Sequence, residues 1–317
     1  MHLHAITSCT DRKRVEVRDE ARMRTVGATD LRSRVDEWLE TLEGSRLPRH
    51  SVRSLYGGEH WSAFLSLLRL GNHSITGWVV SAGFGLLATD EQAPGYSATF
   101  SRGREDSVCP DGVDWSNRDW WLELGRQRSS MTEDRRSILE LLRTDTEAQV
   151  VCAASYAYLD SIVPDLRDAA DFIGRPDRIL VLSTRVPSSI TSHPFIATPT
   201  YDSRLQPLLG GSRIGLNVRV ADRIIDTWMG DDIGLHASRT LERMMENAPP
   251  PRRFGRTPAT DEEIRSFIRL SLTKSDNTAA SPLLRKWRDQ GRACEQSRFR
   301  KLYKEVMSEP PHHSRFL

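Results

Sequence analysis

The chain has 317 residues, 38% of them hydrophobic and 28% charged, with a mean hydropathy of −0.50 and a net charge of +2. That length buries a sizeable core and leaves room for a second domain, and the composition excludes a chain that is disordered throughout. No run of about 18 apolar residues exists to cross a bilayer, and the first apolar piece runs straight into Asp11-Arg12-Lys13-Arg14 without the long apolar stretch of a secretory leader, so a cytoplasmic protein with no membrane partner is expected.

In chain order, His2-Leu3-His4-Ala5-Ile6-Thr7 predicts a buried strand that stops at the small polar cluster Ser8-Cys9-Thr10. Helical spacing of Leu31, Val35, Trp38, Leu39 and Leu42 predicts a helix over 29–43, and Trp61, Phe64, Leu65 and Leu68 predict another over 59–70. A second strand covers 76–82 and ends in Gly83-Phe84-Gly85, where glycine permits positive φ and close backbone approach. A weak helical pattern around Trp115, Trp120 and Trp121 is followed by a helix over 133–143. Then come strands at 148–155 and 178–183, separated by one helix over 158–173. Strand, helix, strand predicts a parallel pair, hence an α/β fold with a mostly parallel sheet flanked by helices. The strands end in small polar residues, and ligands of open α/β sheets bind outside the carboxyl ends of strands. After a loop at 185–207, the segment Gly210-Gly211-Ser212-Arg213-Ile214-Gly215 leads into a helix running to Trp228.

Charge divides the chain at Pro249-Pro250-Pro251. Residues 1–251 carry 30 basic and 35 acidic side chains, net −5, and residues 252–317 carry 15 and 8, net +7. Three helices are predicted in the basic part, over 261–272, 281–289 and 294–307. The first is opened by the reciprocal cap Thr260-Asp261-Glu262-Glu263, and a short turn at 290–293 separates the last two. This predicts two domains, an α/β body over 1–248 and a C-terminal all-α, helix-turn-helix-like module over 252–317. The module binds nucleic acid or a protein, with its basic excess favouring nucleic acid. Arg285, Lys286, Arg292, Gln296, Arg300, Lys301 and Lys304 are its candidate DNA-binding residues.

The four cysteines, Cys9, Cys109, Cys152 and Cys294, form no CxxC pair, so reduced thiols and no structural metal are expected. Neither GxxxxGK[ST] nor GxGxxG occurs, which argues against ATP or NAD; no cofactor is expected. The chain holds 40 arginines and five lysines, and Lys13 is the only lysine before Lys274. Arginine cannot replace a lysine used as an amine nucleophile, which makes Lys13 a candidate for chemistry as well as a candidate surface residue.

Three pieces then fit one pattern: Ile6-Thr7-Ser8-Cys9-Thr10-Asp11-Arg12-Lys13, Leu55-Tyr56-Gly57-Gly58-Glu59-His60-Trp61, and Trp78-Val79-Val80-Ser81-Ala82-Gly83-Phe84-Gly85-Leu86-Leu87 followed by Pro94-Gly95-Tyr96-Ser97. They resemble the superfamily that includes the peroxide-stress protein YaaA and the core domain of archaeosine synthase, matching at Cys9, Lys13, Ser81, Gly85, Leu86 and Tyr96. Ser97 stands where the family usually has aspartate. With its basic helical tail, the whole chain looks like the bacterial antiphage DNA glycosylases that excise modified cytosines. That resemblance implies hydrolysis of an N-glycosidic bond in double-stranded DNA carrying modified bases such as glucosylated hydroxymethylcytosine, with base flipping, an abasic product and no obligate protein partner. A non-catalytic DNA-binding protein and a transferase acting on a deazaguanine-type base are the alternatives.

On this reading Ser8, Cys9, Thr10, Ser81, Gly83, Phe84, Gly85, Tyr96, Arg213 and Arg219 are the candidate substrate-binding residues, with Phe84, Tyr96 or Trp61 stacking on the extruded base. Lys13, Asp202 and Asn217 are the catalytic candidates. Lys13 either attacks the sugar or grips phosphate, and Asn217 orients water or a base edge. Among the loop carboxylates Glu59, Asp90, Glu91 and Asp202, the last is favoured for its place before the glycine-rich segment.

Overall fold

The computed structural model describes residues 2–44, 47–71, 73–131, 137–250, 255–273 and 279–308. The chain forms two compact units, Met1–Pro250 and Pro251–Leu317, each with its own hydrophobic core. No helix among the described residues is long and apolar enough to cross a membrane.

The first unit is α/β. Its strands are β1 (His2–Ser8), β2 (Arg49–Ser51), β3 (Ser74–Ser81), β4 (Gly85–Ala88), β5 (Gln92–Pro94), β6 (Gln149–Ala153) and β7 (Ile179–Leu182). Five of them form one sheet in the order β4-β3-β1-β6-β7, and β2 pairs with β5 separately. β1 runs parallel to β3 and to β6, and β6 parallel to β7; β4 alone is antiparallel, folding back on β3. Leu3 to Ser8 are all buried, His4 and Thr7 included, because β1 lies mid-sheet with both faces covered. A strand buried on two faces shows a continuous apolar run without alternation, which is why β1, β6 and β7 were visible as strands.

The helices depart from the sequence expectation in several places, among them the short helices Val52–Leu55, Ser188–Thr191 and Gln206–Leu209, the last two in or next to the expected loop at 185–207. Residues 158–173 form two helices, Tyr156–Ser161 and Val163–Ile173, broken at Ile162 (φ −97°, ψ 8°), where Pro164 opens the second because it has no N–H to continue the first. The helix expected over 133–143 is described from Ile138 to Thr144, its expected start falling outside the described residues. Ile233–Glu246 is a further helix not foreseen from the sequence. Asp165, buried in the Val163–Ile173 helix, accepts hydrogen bonds from the first amides of the Ile138–Thr144 helix, Ile138 N at 2.9 Å and Leu139 N at 3.1 Å. Burial raises its carboxyl pKa to about 6 against the opposing pull of those amides.

The second unit consists of the helices Asp261–Thr273, Ala280–Asp289 and Gln296–Ser308 around Ile264, Ile268, Leu283, Trp287, Phe299 and Leu302. Its reciprocal cap forms as expected: Thr260 N donates to Glu263 at 2.8 Å, and Glu263 N donates to Thr260 Oγ1 at 3.3 Å. Gly291 turns the chain with φ +73° before the last helix. Lys274 lies outside the described residues.

Candidate functional site

The sheet order fixes where a site can open. The chain leaves β1 toward β3 and leaves β6 toward β7, on opposite sides, so the topological switch point falls outside the carboxyl ends of the adjacent strands β1 and β6. Three cross-links gather there. Cys9 Sγ, just past β1, lies 3.2 Å from the hydroxyl of Tyr158 on the helix that follows β6. Thr7 Oγ1 donates to Ala153 O at 2.9 Å and stands 3.0 Å from His60 Nε2. Asn217, from the first turn of the Leu216–Thr227 helix, donates to Ala154 O at 2.9 Å and to Ser183 Oγ at 3.4 Å, and accepts from Tyr201 at 2.8 Å.

Lys13 returns toward this edge from the loop after β1. Its ammonium donates to Thr10 O at 2.6 Å and lies over two rings, 4.8 Å from the centre of Tyr56 and 4.7 Å from that of Tyr96. The residue as a whole is only partly buried, but the crowding around its Nζ lowers the pKa from 10.5, while Cys9 and Asp11 pull the other way. The phenols beneath are joined to Ser81 in a chain, Tyr56 Oη to Tyr96 Oη and Tyr96 Oη to Ser81 Oγ, each 2.5 Å. Ser81 Oγ also accepts from Gly83 N at 3.1 Å and Phe84 N at 3.0 Å. With its lone pairs taken, Ser81 donates to Tyr96, which donates to Tyr56, so the Tyr56 proton is the one left for another acceptor. Burial raises the pKa of Tyr56, Tyr96 and Tyr158, and the charge of a Cys9 thiolate would raise each further, so all three phenols stay protonated.

A loop frames the other side. Glu59, opening the Glu59–Leu67 helix after Gly58 (φ +92°), accepts from Ser212 N at 2.6 Å and from Arg219 Nη1, while Arg219 Nη2 donates to Ser212 O. The two side chains thus hold the Ser212 peptide by both its polar groups. Gly211 is required beside it: its φ is +65°, and a Cβ there would sit 2.0 Å from Glu59 Oε1. His60 lies against the same loop two residues on, with Nδ1 3.3 Å from Ile214 O. Because Thr7 spends its hydrogen on Ala153 O, His60 faces an acceptor at each ring nitrogen. Only the imidazolium satisfies both, yet burial lowers its pKa.

Several residues expected to touch substrate turn out to be structural. Phe84 is 1% exposed and Tyr96 and Trp61 are 0% exposed, so none offers a ring face to a base. The turn after β3 is closed by protein groups: Trp120 Nε1 donates to Ala82 O, Trp38 Nε1 to Gly83 O and Arg128 Nη1 to Phe84 O. Gly83 is small for packing, since a Cβ would meet the Tyr96 ring at 2.7 Å. Gly85 begins β4 at φ +70°, and the Ser81 hydroxyl is used inside the core. Asp202 caps the short helix Ser203–Leu205 by accepting from Arg204 N at 2.8 Å and pairs with the Arg204 guanidinium, both interactions local. Arg219 is committed to Glu59 and Ser212, whereas Arg213 is exposed with one hydrogen bond at 2.6 Å to Ser203.

The structure brings Ser8, Cys9, Thr10, Lys13 and Asn217 to the β1–β6 edge and adds residues not singled out for it from the sequence: Tyr158, His60 and Asp11. Tyr156, which starts the helix after β6, is partly exposed, with Arg185 4.2 Å above its ring. That stacked pair at the carboxyl ends of β6 and β7 offers the open aromatic face that Phe84 and Tyr96 do not.

At the opposite edge His2, His4 and Asp145 cluster, with His2 Nδ1 2.7 Å from Asp145. Trp78 donates to His4 Nδ1 at 3.0 Å, so neutral His4 carries its proton on Nε2 and has no lone pair there for a cation. In the second unit, Arg292 pairs with Glu263 and lies 5.2 Å over the Trp287 ring, a structural role. Gln296, Arg300 and Lys304 form an exposed stripe at four-residue spacing, with Lys301 beside it and Arg285 and Lys286 exposed on the preceding helix. No protein-family model, curated protein or solved structure matches the chain.

Proposed function

We propose that the chain is a DNA glycosylase acting on modified bases, glucosylated hydroxymethylcytosine being the first to test, as part of defence against invading DNA. The observation that carries this reading is Lys13: an amine with lowered pKa near the switch point that feels the charges of Cys9 and Asp11, with the Tyr158 phenol 3.2 Å from the Cys9 thiol. Cleavage of an N-glycosidic bond needs a group to face the cationic sugar, a group to activate water or attack C1′, and a proton for the departing base. Asp11 replaces Asp202 as the carboxylate facing the sugar. Lys13 takes the second role, and the protonated Tyr158 supplies a donor. In the hydrolytic course, water bonds to C1′ and gives up a proton, the C–N bond breaks, and its electron pair leaves with the protonated base. In the covalent course the neutral Lys13 amine bonds to C1′ as the C1′–N bond breaks and the base leaves with its electron pair and a proton. The glycosylamine loses a proton and opens at C1′–O4′ to a Schiff base, which water then hydrolyses to free the lysine.

Double-stranded DNA is the proposed partner, held through the exposed basic stripe of the second unit, and the cytoplasm is the proposed location. The test counts abasic sites in a duplex carrying glucosylated hydroxymethylcytosine after incubation with wild type and with Lys13→Ala. Sites formed by the wild type and lost in the variant are expected; equal counts, or none, contradict the reading.

A further inference from the structure

Ile214 is an apolar side chain that is 80% exposed on a loop held rigidly from within. The carbonyls of Gly211, Ser212, Arg213 and Gly215 accept from Gln206 Nε2, Arg219 Nη2, Leu216 N and Arg219 N in turn, and that of Ile214 lies 3.3 Å from His60 Nδ1. Ser212 N is taken by Glu59. A loop tied through its carbonyls in this way does not need an outward isoleucine in order to fold, and the ties give that side chain a fixed direction. The loop is tied to the switch point through one imidazole, since His60 spans from Ile214 O to Thr7 at the carboxyl end of β1.

The surroundings select the occupant. Arg213, next to Ile214, is exposed. Arg12 and Arg14, also exposed, pack their stems by Gly57 and Gly58, the residues that lead into Glu59. An apolar tip beside one exposed guanidinium, with two more on the segment that packs by the residues leading into Glu59, suits the phosphate-flanked stack of a nucleic-acid duplex, into which proteins insert apolar wedges between base steps.

We infer that Ile214 is the wedge that fills the gap left in duplex DNA when a nucleotide is turned out toward the β1–β6 edge, an inference that rests on the glycosylase reading. Arg213 is the adjacent phosphate contact that sets its depth. The wedge compensates the unstacking that base extrusion costs, so its energy is realised only when a base has left the stack.

The test uses the full chain and two duplexes of one sequence, fully paired or with one nucleotide replaced by a tetrahydrofuran abasic analogue, whose gap needs no extrusion. Wild type is expected to bind the gapped duplex roughly tenfold more tightly. Ile214→Ala abolishes that preference, whereas Ile214→Leu, which keeps the bulk, retains it. Met229→Ala, at a side chain 91% exposed elsewhere on the same unit, also retains it and controls for general loss of surface apolarity. A preference kept by Ile214→Ala overturns the wedge and leaves the glycosylase reading standing. A wild type that binds both duplexes alike, or neither, also overturns the wedge, and the glycosylase reading is then judged separately by its abasic-site count on modified DNA.

Discussion

Lys13 Nζ stands 4.7 Å from the centre of the Tyr96 ring, so the lysine that the sequence singles out by rarity rests on a tyrosine that is itself closed to solvent. The tyrosine shapes the surroundings of the amine without reaching substrate.

A lysine placed in this way has a readable pH dependence. Only the neutral amine attacks carbon, and burial moves its pKa down from 10.5, so borohydride trapping of a Lys13–DNA adduct rises with pH and levels off below the range of an ordinary lysine. Lys13→Arg keeps the charge and gives no adduct. Active wild-type enzyme with no trapped species would remove the covalent course and leave the hydrolytic one.

Asp165 gives a stability signature independent of function. Its pKa is raised from 3.8 to about 6, so between those values the native state binds more protons than the unfolded chain, and stability falls as pH rises through the window. The full contribution, present below the lower value and lost above the upper one, is on the order of 3 kcal/mol at about 1.4 kcal/mol per unit. Asp165→Asn has no proton to lose but offers one carbonyl oxygen where the two amides use two, so urea unfolding across this range is expected to show a lower but flatter curve. An unchanged slope would mean that Asp165 does not titrate there.

The clamp on the Ser212 peptide makes Gly211 intolerant of a side chain. Gly211→Ala combines positive φ with a clash against the Glu59 carboxylate and is expected to cost about 1–3 kcal/mol, measured by urea unfolding. Gly112→Ala, with φ +85° and open space around its Cβ, isolates the backbone share of that cost.

The basic stripe of the second unit predicts a salt effect. If the stripe holds DNA as proposed, replacing Arg300 and Lys304 together by alanine lowers the slope of log K against log salt by about 2, with affinity for all duplexes weakened alike. A change confined to modified DNA would place base recognition on that helix instead.

The α/β sheet was legible because β1, β6 and β7 are apolar runs buried on both faces, a pattern that survives without any tertiary knowledge. The cap at Thr260 and Glu263 was legible for the same reason, being local. β4 was not, since Leu86 and Leu87 continue an apolar segment whose reversal at Gly83–Gly85 is set by Trp38, Trp120 and Arg128 from distant helices. The same distant groups defeated the rule that small polar residues at strand ends face a ligand, which placed Ser81 and Phe84 in the site. Lys13 and Cys9 stood out by rarity and position. Tyr158 and His60 did not, because a lone tyrosine or histidine on a helix has no sequence mark that it points at a strand end.

The most direct measurement of the central claim is mass spectrometry of the small molecules released when wild-type protein is incubated with a duplex carrying glucosylated hydroxymethylcytosine and with its unmodified counterpart. Release of the modified free base from the first duplex alone, matched by an equal number of abasic sites, is the result expected. Intact binding with no release, or release of an exchanged base without abasic sites, would contradict a glycosylase and leave a DNA-binding protein or a base-exchanging transferase.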